Sequence, residues 1–237
     1  MGKTLIAALL FFAIASFRNN NQAFRYTLVM QSIQNDSSHI FAANEFISYK
    51  GFLIEFIWEE FSEEHIHQDS TRSTFREWKE LLKVHFIDIS TKTYFSVDTF
   101  SPGSKLITQG PLKDKNLGMN VGERTSDDDA RNYNLAFCKD TSFNGIEYLY
   151  YPYTIKDKNG QDSILCKALF LKDNDLKLIT SIDRQSYLQD KYPLAGLISF
   201  TKDLKQGFAM YIKDKKAISK DDASTIESIL AKYSKKE

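Results

Sequence analysis

From Val84 onward the chain keeps returning to a two-residue alternation of apolar and polar side chains. That period fits an extended strand with one face buried and one face wet, and it does not fit a helix. KVHFIDIS (83–90) and KTYFSVDTF (92–100) are two such runs, and SPGS (101–104) turns the chain into KLITQ (105–109). NYNLAF (132–137), IEYLYYPYTI (146–155) and DSILCKALFL (162–171) follow, the last two joined by a KDKNG hairpin turn at 156–160. LKLITSI (176–182), GLISFT (196–201) and GFAMYIK (207–213) continue the pattern, with SYLQDKYPLA (186–195) read as a helical turn and loop. Residues 110–132, holding glycines and Asp127-Asp128-Asp129, form the longest expected loop.

Toward the ends the signals change. Phe24 to Gln31 alternate as a first strand. Residues 38–50 read as a helix, with Ser38 as a cap, Ile40, Ala43 and Ile47 on one face, and Gly51 as a C-terminal glycine. FLIEFIWEEF (52–61) fits either period. Thr74 and Glu77 make a capping box opening a short helix through Phe75, Trp78, Leu81 and Leu82. Ser219 and Asp222 open a final helix with Ala223, Ile226, Ile229, Leu230 and Tyr233 on one side. Together these predict an α+β fold: an antiparallel sheet meander with helices on one face and a C-terminal capping helix. No repeat or Pro/Gly/Ser linker divides residues 24–237, so they are expected to form one domain.

The N-terminus predicts the compartment. After Met1 to Thr4, with Lys3 as its one charge, LIAALLFFAIASF (5–17) runs without a charge. Thirteen residues fall short of the ~20 a membrane-spanning helix needs. A charged start, a short apolar stretch and Ala13-Ile14-Ala15 match a cleavable signal peptide, with Gln22-Ala23 a later candidate cut. Residues 1–23 are thus read as a signal peptide and polar leader, and the mature chain as secreted or periplasmic, without a membrane span. The alternative is a packed N-terminal helix of a cytosolic domain.

In an oxidising compartment, Cys138 and Cys166 are candidates for a disulfide. It would close a loop of about 29 residues and contribute roughly 3.5 kcal/mol on the loop-entropy model; a buried thiol on a strand is the alternative reading. His65 and His67, two apart on an extended segment with Glu63, Glu64 and Asp69 alongside, are the best metal candidate, but no third ligand stands at a diagnostic spacing and a solvated polar loop is the simpler account. The Asp127–Asp129 run lacks the glycine that a calcium loop needs. No G-x-S-x-G elbow or H-E-x-x-H helix is present, and all four histidines precede Cys138, which excludes the papain order. No cofactor is expected. The 31 basic and 31 acidic residues cancel, which argues against a nucleic-acid partner, and Lys213, Lys215 and Lys216 beside Tyr211 are offset by nearby aspartates.

Aromatics supply 14% of the chain, and Tyr148, Tyr150, Tyr151 and Tyr153 fall within six residues of one strand. Alternation puts Tyr148 and Tyr150 on one face and Tyr151 and Tyr153 on the other, so one pair is free to present a binding surface. The leading expectation is an exported binding module that takes a small apolar or aromatic ligand, or a protein, on an aromatic-rich sheet face. The alternatives are a hydrolase whose acid/base residues, such as His85 or His65 with a carboxylate, converge only in the fold, and a cytosolic small-molecule sensor.

Overall fold

The computed structural model describes residues 23–35, 37–66, 73–88, 90–116, 134–156, 162–172, 187–188 and 192–234. Twelve strands dominate them: β1 (Phe24–Gln34), β2 (Ser37–Tyr49), β3 (Phe52–Ile66), β4 (Ser73–Asp88), β5 (Thr93–Val97), β6 (Leu106–Pro111), β7 (Lys139–Phe143), β8 (Ile146–Lys156), β9 (Asp162–Leu171), β10 (Tyr187–Leu188), β11 (Tyr192–Thr201) and β12 (Gln206–Ala217). They form one antiparallel sheet in the order β6-β5-β4-β3-β2-β1-β12-β11-β9-β8-β7, with β10 paired to β11. Nearly every neighbour in space is a neighbour in sequence, as short hairpin connections require. The β12–β1 pair joins the two halves in register from Phe24↔Ala217 to Gln34↔Gln206.

The helix-rich part of the α+β expectation is overturned. The sheet carries almost the whole fold, and α1 (Lys220–Tyr233) is the one α-helix among the described residues. Residues 38–50 lie in β2, and Gly51 (φ 89°) with Lys50 (φ 47°) forms the tight turn into β3. Left-handed conformation at both positions is the demand of a two-residue hairpin turn, which a C-terminal helix glycine mimics in sequence. The expected helix at 74–82 is also strand, its Trp78 opposite Phe61 in β3 and stacked on it at 5.4 Å. The ambiguity of 52–61 resolves to strand because both faces are buried at its base: Ile54 and Phe56 on one, Leu53 and Glu55 on the other. Within NYNLAF, residues 132 and 133 lie outside the described residues, and Leu135–Phe137 form a short 3-10 turn with the Asn134 side chain accepting from the Ala136 amide. The run 176–182 and the apolar run 5–17 lie outside the described residues.

Two layers of core follow. Ile47, Ile54, Phe56, Val84, Phe86, Phe95 and Val97 bury one face of β2–β5 beneath Ile226 and Ile229 of α1. That helix starts as its sequence predicts, the Ser219 side chain accepting from the Asp222 amide at 2.9 Å, and ends with the Tyr233 hydroxyl donating to the Ser104 carbonyl at 2.7 Å. A second cluster unites Tyr26, Phe46, Leu53 and Ile87 with Tyr148, Leu169, Leu171, Met210 and Ile212. Its seam is at Gly196, where a Cβ would meet the Met210 carbonyl at 2.8 Å and Leu169 Cδ1 at 2.9 Å. β11 pairs with β12 only over Leu197–Phe200. On the near side of Gly196 it has left β12, and Tyr148 fills in beside Ile212.

Candidate functional site

The tyrosine strand is β8, and its alternation holds in the structure. Tyr148 is fully buried and Tyr150 packs against the same central cluster. Tyr151 and Tyr153 turn to the opposite face, packing against Ala168, Phe170 and Leu194 with their rings 6.5 Å apart. Burial pushes the Tyr148 hydroxyl far above its ordinary range, and it makes no well-formed hydrogen bond. Tyr148 is therefore core, and Tyr153 borders an open cavity.

That cavity is a cleft of about 730 Å³ where β8, β9 and the β11–β12 turn meet, lined by Pro152, Tyr153, Thr154, Leu165, Cys166, Lys167, Phe200 and Leu204. Cross-strand register builds it. Tyr153 stands opposite Cys166, and Thr154 opposite Leu165, which stands opposite Phe200. Phe200 in turn lies across Gly207, where a Cβ would sit 2.6 Å from its ring. Glycine at 207 leaves the room that lets the ring lie there. Leu204 projects from a turn fixed by its own amide donating to the Thr201 carbonyl at 2.8 Å and by the Thr201 hydroxyl donating to Asp203 at 2.6 Å. The Thr201 hydroxyl, and after it the Lys205 amide, hold the Asp203 carboxyl below its usual range. The result is an apolar hollow with a fixed rim, and Leu204 remains 62% and Leu165 40% exposed. Its size and lining match a small-ligand site.

A second constellation lies beneath the short 3-10 turn Leu112–Asp114. Lys115 Nζ contacts Glu55 Oε2 at 2.8 Å with both side chains almost wholly buried, 2% and 0% exposed. Lys83 Nζ donates to Asn116 Oδ1 at 3.3 Å, and the Tyr94 hydroxyl to the Asp114 carbonyl at 3.3 Å. His85, opposite Glu55 in register, has Nδ1 2.6 Å from Ser96 Oγ, while its ring lies near the Asn116 backbone and its buried Nε2 makes no well-formed hydrogen bond. Burial first, and then the Lys115 and Lys83 charges, push its pKa down to about 3, so it is neutral at pH 7. Burial likewise lowers Lys83, and burial with the Glu55 charge raises Tyr26. His85, one of the two histidines of the hydrolase alternative, does meet a serine here and stands across from a carboxylate. Ser96, His85 and Glu55 are nonetheless sealed from solvent, and Lys115 already engages Glu55, so no substrate reaches them in this conformation. The arrangement clamps residues 112–116 onto the sheet.

The remaining candidates divide plainly. The structure joins neither Cys138 nor Cys166 in a disulfide; Cys166 is buried beside the cleft, and Cys138 precedes β7 with its thiol 3.7 Å from the Asn134 carbonyl. His67 and the side chain of His65 lie outside the described residues, and among the described ones no group of three metal-ligating residues occurs. Leu165, Phe200 and Leu204 were not singled out by sequence reasoning. Leu204 carried the available signal, a large apolar residue inside the otherwise polar turn KDLKQG.

No protein-family model and no curated protein matches the chain. Among solved structures, it is similar to a domain described as an outer membrane lipoprotein-sorting protein from Vibrio parahaemolyticus, at 12% identity over 91% of this chain and 97% of that one, with a TM-score of 0.18. It is also similar to a DUF1329 family protein from Desulfovibrio piger, at 10% identity over 92% and 95% of the two chains, with a TM-score of 0.20. Superposition scores this low carry no argument about fold or function.

Proposed function

We propose that the chain is an exported binding module that seats the apolar part of a small ligand in the cleft between β8, β9 and the β11–β12 turn. The observation that carries this reading is the cleft itself: about 730 Å³, apolar, open, and rimmed by leucines that folding leaves in water. Burying a fully exposed leucine is worth about 1.5–3 kcal/mol, and Leu204 and Leu165, 62% and 40% exposed, each retain roughly half of that. A ligand that covers Leu165 and Leu204 together recovers that remaining free energy, and the Phe200 ring, directly across from Leu165 on the same sheet face, provides a flat wall for an aromatic or an extended chain.

The ligand reading is tested with N-phenyl-1-naphthylamine, a neutral probe that brightens in apolar surroundings. Saturable emission is expected with the wild-type protein. Leu165→Asp with Leu204→Asp, both at exposed positions, should weaken it at least about tenfold, since 1.4 kcal/mol is already a factor of ten. Equal binding by the variant would overturn the proposal. Export is tested separately by the intact mass of the chain from its native host, which should begin near Ser16 or Phe24; a full-length chain would sink it.

A further inference from the structure

β3 and β4 outrun their neighbours. β2 accompanies β3 only through Phe52–Phe56, and β5 accompanies β4 only through Val84–Asp88. Beyond these the pair continues alone, in register from Trp58↔Leu81 to Ile66↔Ser73. Nine residues of strand reach roughly 30 Å. No described strand pairs with either outer edge of this ribbon.

Its charge is lopsided in a chain of zero net charge. Residues 58–66 and 73–82 hold six glutamates (Glu59, Glu60, Glu63, Glu64, Glu77, Glu80) against Arg76 and Lys79, a formal balance of −4. Glu59 and Glu80 stand directly opposite each other and both are exposed, an unfavourable like-charge pair on a two-stranded ribbon. At the root, the bulge between Ile57 and Trp58 leaves Leu82 44% exposed beside Trp58 at 40%. A ribbon of two strands gains little stability of its own. Exposed tryptophan beside opposed carboxylates stabilises it still less, whereas both suit a surface that a partner covers.

We infer that the β3–β4 ribbon docks an extended, basic segment of a partner protein. Lysines or arginines of that segment would neutralise the Glu59–Glu80 pair, alternate apolar residues would cover Trp58 and Leu82, and the open edges would receive its backbone. The charge imbalance selects this occupant over an acidic segment or an anionic surface.

Trp58 and Trp78 are the two tryptophans of the chain, and both lie on the ribbon, so intrinsic emission reports on it alone. The intact protein is titrated with a ten-residue peptide alternating lysine and valine. A saturable change in tryptophan emission is expected, weakened about tenfold or more by raising salt from 50 to 500 mM. The Glu59→Lys/Glu80→Lys variant, altered only at exposed positions, should lose it. The inference is overturned if the emission does not change, if the variant responds like wild type, or if a glutamate–valine peptide binds equally. A dimer in sedimentation, dissociated by the same variant, would also overturn it by assigning the ribbon to a second copy.

Discussion

His85 is held neutral by its surroundings, and that has a measurable consequence for stability. Its folded pKa of about 3 lies below the ordinary value of 6.5. Between those values the unfolded chain binds a proton that the folded chain refuses, so stability present above pH 6.5 is lost on acidification, by about 1.4 kcal/mol per pH unit. Urea unfolding at pH 7 and pH 4.5 should show that loss, and His85→Phe should flatten it. An unchanged slope in the variant would place the acid sensitivity elsewhere. His85 was legible in sequence as an inward position of KVHFID, but its environment was not. The Lys115 charge, held on Glu55, acts on it from beyond β6 and Ser96 meets it from β5, and no local spacing encodes those approaches. The tyrosines were legible as two opposed pairs. Which pair met solvent depended on the neighbours of β8, and burial of Tyr148 came from Ile212, 64 residues onward.

Among elements, the two expected helices that became strand are ones whose local pattern satisfied two periods. Residues 38–50 carry a cap, a helical apolar spacing and a terminal glycine, yet pairing with β1 on one side and β3 on the other decides for strand. Thr74 and Glu77 likewise mimic a capping box inside β4, where Phe61 stacking on Trp78 rewards extension. Tertiary pairing overrides such weak local preferences. α1 followed its signals because the Ser219 cap and the Ile226–Ile229 face agree with its packing. Pairs of strands also build the cleft wall, and Gly207 tests that. A Cβ there would press on the Phe200 ring and the Ser199 carbonyl at 2.8 Å. Gly207→Ala should destabilise the protein by about 1–3 kcal/mol and weaken probe binding by displacing Phe200. Unaltered stability and binding would show that Phe200 moves aside freely.

The whole molecule is a sheet that passes from one end strand to the other by hairpins, with a helix on one half and an open apolar cleft on the other. The strand alternation foretold the meander, and the aromatic-rich strand pointed to the wing that bears the cleft. The cleft's own lining was beyond sequence reach, since Tyr153, Leu165, Phe200 and Leu204 meet only once β8, β9 and β11 are in register. The most direct test of a ligand site there is the map of backbone amide shifts as N-phenyl-1-naphthylamine is added to isotopically labelled protein. The account predicts saturable changes concentrated at residues 153–154, 165–167 and 200–207, with His85 and the β3–β4 ribbon undisturbed. Changes centred on any other surface, or none at saturating probe, would contradict it.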